Sequence, residues 1–220
     1  MDEELLRNVA GQLRQPHGEY AIKVGEKMNV GNAYINRYTI DALQVNQHDH
    51  ILEIGMGNGF FVKDILSVDD SVKYCGCDFS TAMVEAANNM NTAFVAANRA
   101  SFHLCDAAAL PFKDGTFNKV FTINTLYFWD DHVATLASIS RVLQTKGKLL
   151  IAIRPKETMQ HYPFVKYGFT LFSKTELTDL LTSNGFIVTS VIEQDEPTQE
   201  IGGVFMTVQT LIVCAEKSGN

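Results

Sequence analysis

The sequence predicts an α/β fold in which a mostly parallel sheet lies between two layers of helices, and three observations predict it. Short apolar runs of strand length alternate along the chain with stretches of helical period. One such run, Ile51-Leu52-Glu53-Ile54, stops in three alternate glycines, Gly55, Gly57 and Gly59, as a strand does where backbone must turn tightly against a ligand. The next two strand-like runs also end in acids, Asp78 and Asp106, which lines up carboxylates at the edge where open α/β sheets bind ligands.

The chain has 220 residues, enough for one domain with a small appendage and a full core. Its net charge of −7 argues against a large nucleic-acid footprint, which needs clustered Lys and Arg. No apolar run approaches the ~18 residues of a membrane span, and Met1-Asp2-Glu3-Glu4 is acidic where a signal peptide is basic. A cytoplasmic protein is expected. Cys75, Cys77, Cys105 and Cys214 all fall in predicted strands without zinc-like spacing, so they read as reduced core residues and no metal is expected.

Taken in order, residues 2–14 set Leu6, Val9 and Leu13 at helical spacing, and Gln15-Pro16-His17-Gly18 breaks the pattern. Residues 25–32 are polar and punctuated by Gly25 and Gly31, which suggests a connection, and a second helix spans about 32–45 with Ile35, Tyr38 and Ala42 on one stripe. Ile51, Leu52 and Ile54 then give a strand buried on both faces. Beyond the glycines, Phe61, Ile65 and Leu66 mark a helix on the sheet.

A dinucleotide fingerprint would place a third small residue where this chain has Phe60. The second strand, Val72 to Cys77, ends in Asp78, about 20 residues past the glycine loop, where an acid accepts from ribose hydroxyls. Phe79 follows, and Ser80 is a suitable N-cap for a helix from Thr81 to about Met90. The third strand, Ser101 to Cys105, ends in Asp106. With an acid two places before a Gly-x-Gly-x-Gly loop and two further acidic strand ends, the chain resembles the class I S-adenosylmethionine-dependent methyltransferases.

The resemblance implies a Rossmann-like three-layer sandwich and S-adenosylmethionine as cofactor, with S-adenosylhomocysteine as product. It puts Glu53, Gly55, Gly57 and Gly59 around the methionine part, Asp78, Phe79 and Ser80 at the ribose, and Met83, Asp106 and Ala107 at the adenine. Asn124 and Leu126, past strand four, complete the expected cofactor set. Three acids suit a ligand with a sulfonium, an ammonium and one carboxylate. They suit pyrophosphate poorly, since the glycine loop holds no Lys or Arg. In such proteins the region before the first strand forms a helical lid, which makes Tyr20, Met28, Asn29, Tyr34 and Tyr38 candidates to touch a ligand. The implied division is a lid over 1–45 and a methyltransferase domain over 46–220.

Ala107-Ala108-Ala109-Leu110-Pro111-Phe112 leads through Phe117-Asn118 into strand four, Lys119 to Asn124, and this stretch resembles the quinone- and sterol-type, small-molecule branch. Asn118 stands where Asp is commoner there. Asn124-Thr125-Leu126-Tyr127 lacks the two prolines found in methyltransferases that act on amino groups of bases. Tyr127, Phe128 and Trp129 suggest instead an aromatic wall for a flat acceptor or a cation.

The next helix places Val133, Leu136, Ala137 and Ser140 on one stripe, with Gly147 as the turn before strand Lys148 to Ile153. An insertion at 154–172 carries His161, Tyr162 and Tyr167 and lies on the expected acceptor side. Ser173-Lys174-Thr175-Glu176 is a capping box, and Asn184-Gly185 stops its helix. Strands Phe186 to Glu193 and Phe205 to Cys214, joined by a polar loop over 195–203, match the family's seven-stranded ending with a reversed last strand.

Methyl transfer from a sulfonium is an in-line displacement, so the protein mainly aligns reactants and excludes water. A base is needed only for an acceptor that must lose a proton first. His17, His132, His161 and Tyr127 are the candidates, and the catalytic residue stays unassigned. Tyr38, Tyr127, Trp129 and His161 are the expected acceptor contacts, and the acceptor is a small molecule. A catalytically silent cofactor-binding module and a nicotinamide-dependent oxidoreductase are the alternatives, and Phe60 and Asp106 oppose the second. The sequence leaves the oligomeric state open.

Overall fold

Residues 2–201 and 203–219 are described by the structure, a computed structural model. Strand side chains alternate between faces, and here both faces are apolar. Leu52, Val120, Leu149 and Ile151 pack on one side with Leu136, Ile139, Leu177 and Leu181. Ile51, Phe121, Leu150 and Ala152 pack on the other with Ile35, Leu43, Ile65 and Leu66. A sheet buried on both sides needs helices on both, and three layers result.

The strands are β1 His50–Ile54, β2 Lys73–Asp78, β3 Ala100–Leu104, β4 Phe117–Ile123, β5 Leu143–Ile153, β6 Phe186–Asp195, β7 Gln199–Ile201, β8 Val204–Met206 and β9 Gln209–Lys217. The helices are α1 Glu3–Arg14, α2 Ala21–Gly31, α3 Ala33–Leu43, α4 Val62–Leu66, α5 Thr81–Met90, α6 Thr92–Ala96, α7 His132–Val142, α8 Lys156–Met159 and α9 Lys174–Ser183. The main sheet is seven-stranded in the order β3-β2-β1-β4-β5-β9-β6. Strands β1 to β5 pair in parallel, while β9 runs antiparallel to β5 and β6. The reversed last strand is therefore present. Strand order turns back between β1 and β4, and that switch point positions the site.

Local signals hold where they are strong. Ser80 Oγ accepts from Met83 N at the start of α5, and Ser173 and Glu176 form a reciprocal capping box on α9. Other expectations need correction. Residues 21–31 form α2 rather than a connection. Mid-helix Gly25 is buried, and a Cβ there would stand 3.3 Å from the Met83 side chain, so the glycine allows close approach to α5. Strand β5 begins at Leu143, directly after α7, and Lys146 rather than Gly147 takes the left-handed turn at φ 60°. In α7 the buried stripe is Thr135, Leu136, Ser138, Ile139 and Val142, whereas Val133 is exposed. The loop after β6 contains a small hairpin, β7 with β8, so Phe205 lies outside the last long strand. No helix among the described residues is long and apolar enough to cross a membrane.

Candidate active site

A cavity of 400 Å³ opens at the carboxyl ends of β1, β2, β3 and β4 and is closed over by residues from α1 and α2. The loop after β1 is tied down because Gly55 N donates to Cys77 O at 2.7 Å. Its glycines serve different ends. A Cβ on Gly55 would overlap the Thr125 methyl, so this position lets β1 and β4 close together. Gly57, at φ +57°, would point a Cβ into open space, and its backbone lines the cavity. Gly59 does not line it. A Cβ there would meet Asn91 Nδ2 at 2.8 Å and Ala87 at 3.0 Å, and its carbonyl accepts from Asn91, so it packs the loop onto α5.

Three acids converge on this space. Glu53, at the end of β1, is 6% exposed and accepts from the Tyr74 hydroxyl at 2.6 Å. Burial pushes its carboxyl up to about 7, against the opposing Tyr74 hydrogen bond. Asp78, ending β2, accepts from Gly57 N at 3.1 Å and Ser80 N at 2.9 Å. It is likewise pushed up by burial, to about 6. A carboxylate has about four acceptor positions, so each retains capacity for a ligand. Asp106 caps the short 3-10 turn over 107–109 through Ala108 N at 2.9 Å while lining the cavity. Among the described lining residues the one basic side chain is Arg14, and Asp130 holds it in a two-oxygen pair at 2.8 Å. An acidic, partly desolvated pocket with its arginine already paired fits a ligand carrying a sulfonium and an ammonium, and repels pyrophosphate.

Of the expected cofactor residues, Glu53, Gly55, Gly57, Asp78, Phe79, Met83, Asp106, Ala107 and Asn124 line this cavity. Three do not. Gly59 packs on α5 as above. Ser80 caps α5 and donates to Pro16 O at 2.5 Å, which fastens the segment after α1 beside the cavity. Leu126 is fully buried in the core, because its short 3-10 turn directs it inward.

A second, smaller cavity of 100 Å³ adjoins the first. Leu13, Met28, Asn32, Asn124 and Phe128 border both and form the throat between them. Its far walls come from Tyr127, Met159 and the 154–172 segment. Of the expected acceptor contacts, Trp129 lines the larger cavity and Tyr127 the smaller. Tyr38 and His161 line neither: the Tyr38 hydroxyl turns to Asp195 O at 3.3 Å, and His161 is exposed. Met28 and Asn29 line the larger cavity, while Tyr20 and Tyr34 face outward. None of the described lining residues is a histidine, and burial raises the Tyr127 hydroxyl far above neutrality, so none of the four candidate bases fits that role. Sequence reasoning missed Leu13, Arg14, Asn32 and Arg154. Leu13 and Arg14 lie on α1 and Asn32 between α2 and α3, and Arg154 carried one usable signal, as a charged residue following an apolar strand.

A family model described as a methyltransferase domain matches residues 52–151. The chain is 29% identical over 134 residues to YdaC, an uncharacterized methyltransferase of Bacillus subtilis strain 168, covering 60% of this chain and 71% of that one. It is 35% identical over 147 residues to the demethylmenaquinone methyltransferase of Beutenbergia cavernae, covering 66% of this chain and 55% of the relative, so the chain spans little more than half of that protein. Among solved structures it superposes on a chain of the complex between the Haloferax volcanii Trm112 methyltransferase activator and a methyltransferase. The TM-score is 0.75 at 18% identity, with 99% of each chain covered, a likeness of fold.

Proposed function

We propose that this chain is a class I S-adenosylmethionine-dependent methyltransferase that moves a methyl group to a small-molecule acceptor by direct in-line displacement. When bound, the cofactor supplies an electrophilic methyl group on a sulfonium. Glu53 and the loop carrying Gly55 and Gly57 would hold its methionine part, Asp78 its ribose hydroxyls, and Asp106 with Ala107 its adenine edge. Residues 1–45 act as a lid over the domain formed by 46–220, with Leu13, Arg14, Met28 and Asn32 facing the ligand. The insertion at 154–172 shapes the acceptor side. The protein's contribution to rate is then alignment and exclusion of water.

The observation that carries a small-molecule acceptor is the throat. The route from the larger cavity leads into a 100 Å³ space lined by Tyr127, Phe128, Met159, Phe164 and Phe169, whose size and apolar walls suit a small molecule. Parallel calorimetric titrations with S-adenosylmethionine, S-adenosylhomocysteine and NAD test the cofactor, with binding of the first two and not the third expected. Transfer of labelled methyl to small molecules, against bulk RNA and protein, tests the acceptor. Label appearing only in macromolecules would overturn the reading.

A further inference from the structure

Arg154 follows β5 directly and is 9% exposed. A guanidinium so buried is costly unless its charge is paired and its N–H groups find acceptors. Nη2 donates to Glu196 Oε2 at 2.9 Å and to Gly31 O at 2.7 Å, and Nε donates to Glu196 Oε1 at 3.3 Å. The Glu196 side chain is fully buried and also accepts from Thr210 Oγ1 at 2.7 Å. The carboxylate therefore meets the arginine side-on, along the Nε–Nη2 edge of the planar fork, and this turns Nη1 away from Glu196.

Nη1 itself has no hydrogen-bond partner among the described residues. Nor is it sealed off from open space, as the partnerless Arg99 Nε and Tyr162 hydroxyl are. Of the two cavities Arg154 lines only the smaller, where it is the one charged residue among those described. The charged head of the side chain, and not its stem alone, stands beside this space. Burial raises the hydroxyl pKa of Tyr127 and of Tyr162, the Arg154 charge opposes that rise in both, and both tyrosines line the same cavity. The other walls are largely apolar, from Leu13, Met28, Met159, Phe164 and Phe169. A charged donor left free among such walls is satisfied by an acceptor atom that a ligand brings.

We infer that Arg154 is the specificity residue of the smaller cavity, its Nη1 donating to an oxygen, carbonyl or carboxylate, carried by an otherwise apolar portion of the methyl acceptor. This rests on the methyltransferase reading above. Because Arg154 does not line the larger cavity, it holds the acceptor at a point away from the methyl group and takes no part in the bond changes. Glu196 already fixes the guanidinium, so binding orders little more of that side chain.

The test uses the full chain saturated with S-adenosylhomocysteine, its arginine side chains isotope-labelled for NMR. Butanone, propanoate and 2-methyl-1-butene are titrated in turn, and the Arg154 guanidinium signals are assigned by their loss in Arg154→Lys. We expect butanone or propanoate to shift the Arg154 Nη signal saturably, and 2-methyl-1-butene, which has the shape of butanone without its oxygen, to move it far less. Whichever oxygen probe binds more tightly separates a neutral carbonyl from a carboxylate. The paired variant Arg154→Met/Glu196→Gln removes the donor without stranding a buried charge. In it, affinity for that probe should fall at least about tenfold, the loss of a charged hydrogen bond, while 2-methyl-1-butene and S-adenosylhomocysteine affinities stay unchanged. No saturable shift with either oxygen probe, an equal shift with the alkene, or undiminished oxygen-probe affinity in the paired variant would overturn the inference. Calorimetry on the same samples separates the two levels. If S-adenosylhomocysteine binds and Arg154 does not answer to oxygen, only this inference fails; if S-adenosylhomocysteine does not bind, the methyltransferase reading fails and this inference with it.

Discussion

The two halves of the site are built differently. The half under β1, β2 and β3 is made of backbone turns and strand-end carboxylates, each placed by the few residues around it: Glu53 beside its glycine loop, Asp78 held by Gly57 N and Ser80 N, Asp106 capping its own turn. The half beyond β4 is assembled from side chains far apart in sequence. Leu13 of α1, Met28 of α2, Tyr127, Arg154 and Tyr162 meet around one small space, and a buried pair between Arg154 and Glu196 fastens it. The first half recognises charge through groups whose positions are locally fixed. The second offers a shape set by packing, which side-chain substitution alone would remodel.

This contrast predicts that lesions separate by half. The largest effect should come from Arg154→Met, which strands Glu196 as a buried unpaired charge and should cost about 3–5 kcal/mol of folding stability in denaturant titration. S-adenosylhomocysteine affinity of the molecules that remain folded should not change. A loss of cofactor binding there would mean that the two halves are coupled.

Next is pH. Burial raises Glu53 from 4.5 in the unfolded chain to about 7 in the ligand-free protein, so the native state holds the extra proton. Its contribution is fully present below pH 4.5 and is lost as pH rises through 7, on the order of 3 kcal/mol. Asp78, raised to about 6, acts in the same direction at lower pH. The cationic cofactor favours both carboxylates ionised, so its affinity should rise between pH 5 and pH 8 while the free protein's stability from these groups falls. Thermal melts with and without cofactor check this, and a ligand-induced shift that shrinks with pH would contradict the acidic pocket.

Gly57→Arg should abolish S-adenosylmethionine binding, a loss above about hundredfold, because a Cβ there meets no neighbour and the long side chain beyond it competes with the ligand, while φ +57° adds local backbone strain. Circular dichroism should show a folded protein, and binding within tenfold of wild type would show that the cavity is not the cofactor's. Asp78→Asn keeps the shape and removes the charge, and about a tenfold weaker affinity by calorimetry is expected. The smallest effect belongs to Arg14→Gln. Its pair with Asp130 is exposed on both sides, and less than about 1 kcal/mol should be lost.

The order in which signals could be read follows the same division. Residues 51–59 and the acids Asp78 and Asp106 were legible because a tight glycine turn and a strand-end carboxylate are local requirements. The Ser80 cap and the Ser173–Glu176 capping box were legible for the same reason. Helix α2 was not, because Gly25 and Gly31 read locally as breakers. Only the approach of α2 to Met83 shows why a helix carries Gly25 there. Tyr38 and His161 looked like ligand contacts from their chemistry, yet one points to Asp195 and the other to solvent.

Sequence by itself therefore determined the layered fold, the reversed last strand and the acidic, glycine-looped half of the site. The layers and the glycine loop rest on periodicity and on turns that a few adjacent residues dictate, and the reversed last strand on the resemblance to a known family. Tertiary structure alone decided which side chains line the smaller cavity, that Arg154 is paired with Glu196 and that the Tyr162 hydroxyl is buried without a partner. Those facts depend on contacts between residues as far apart as 13 and 169. Packing of distant elements sets such contacts, and no local pattern encodes it.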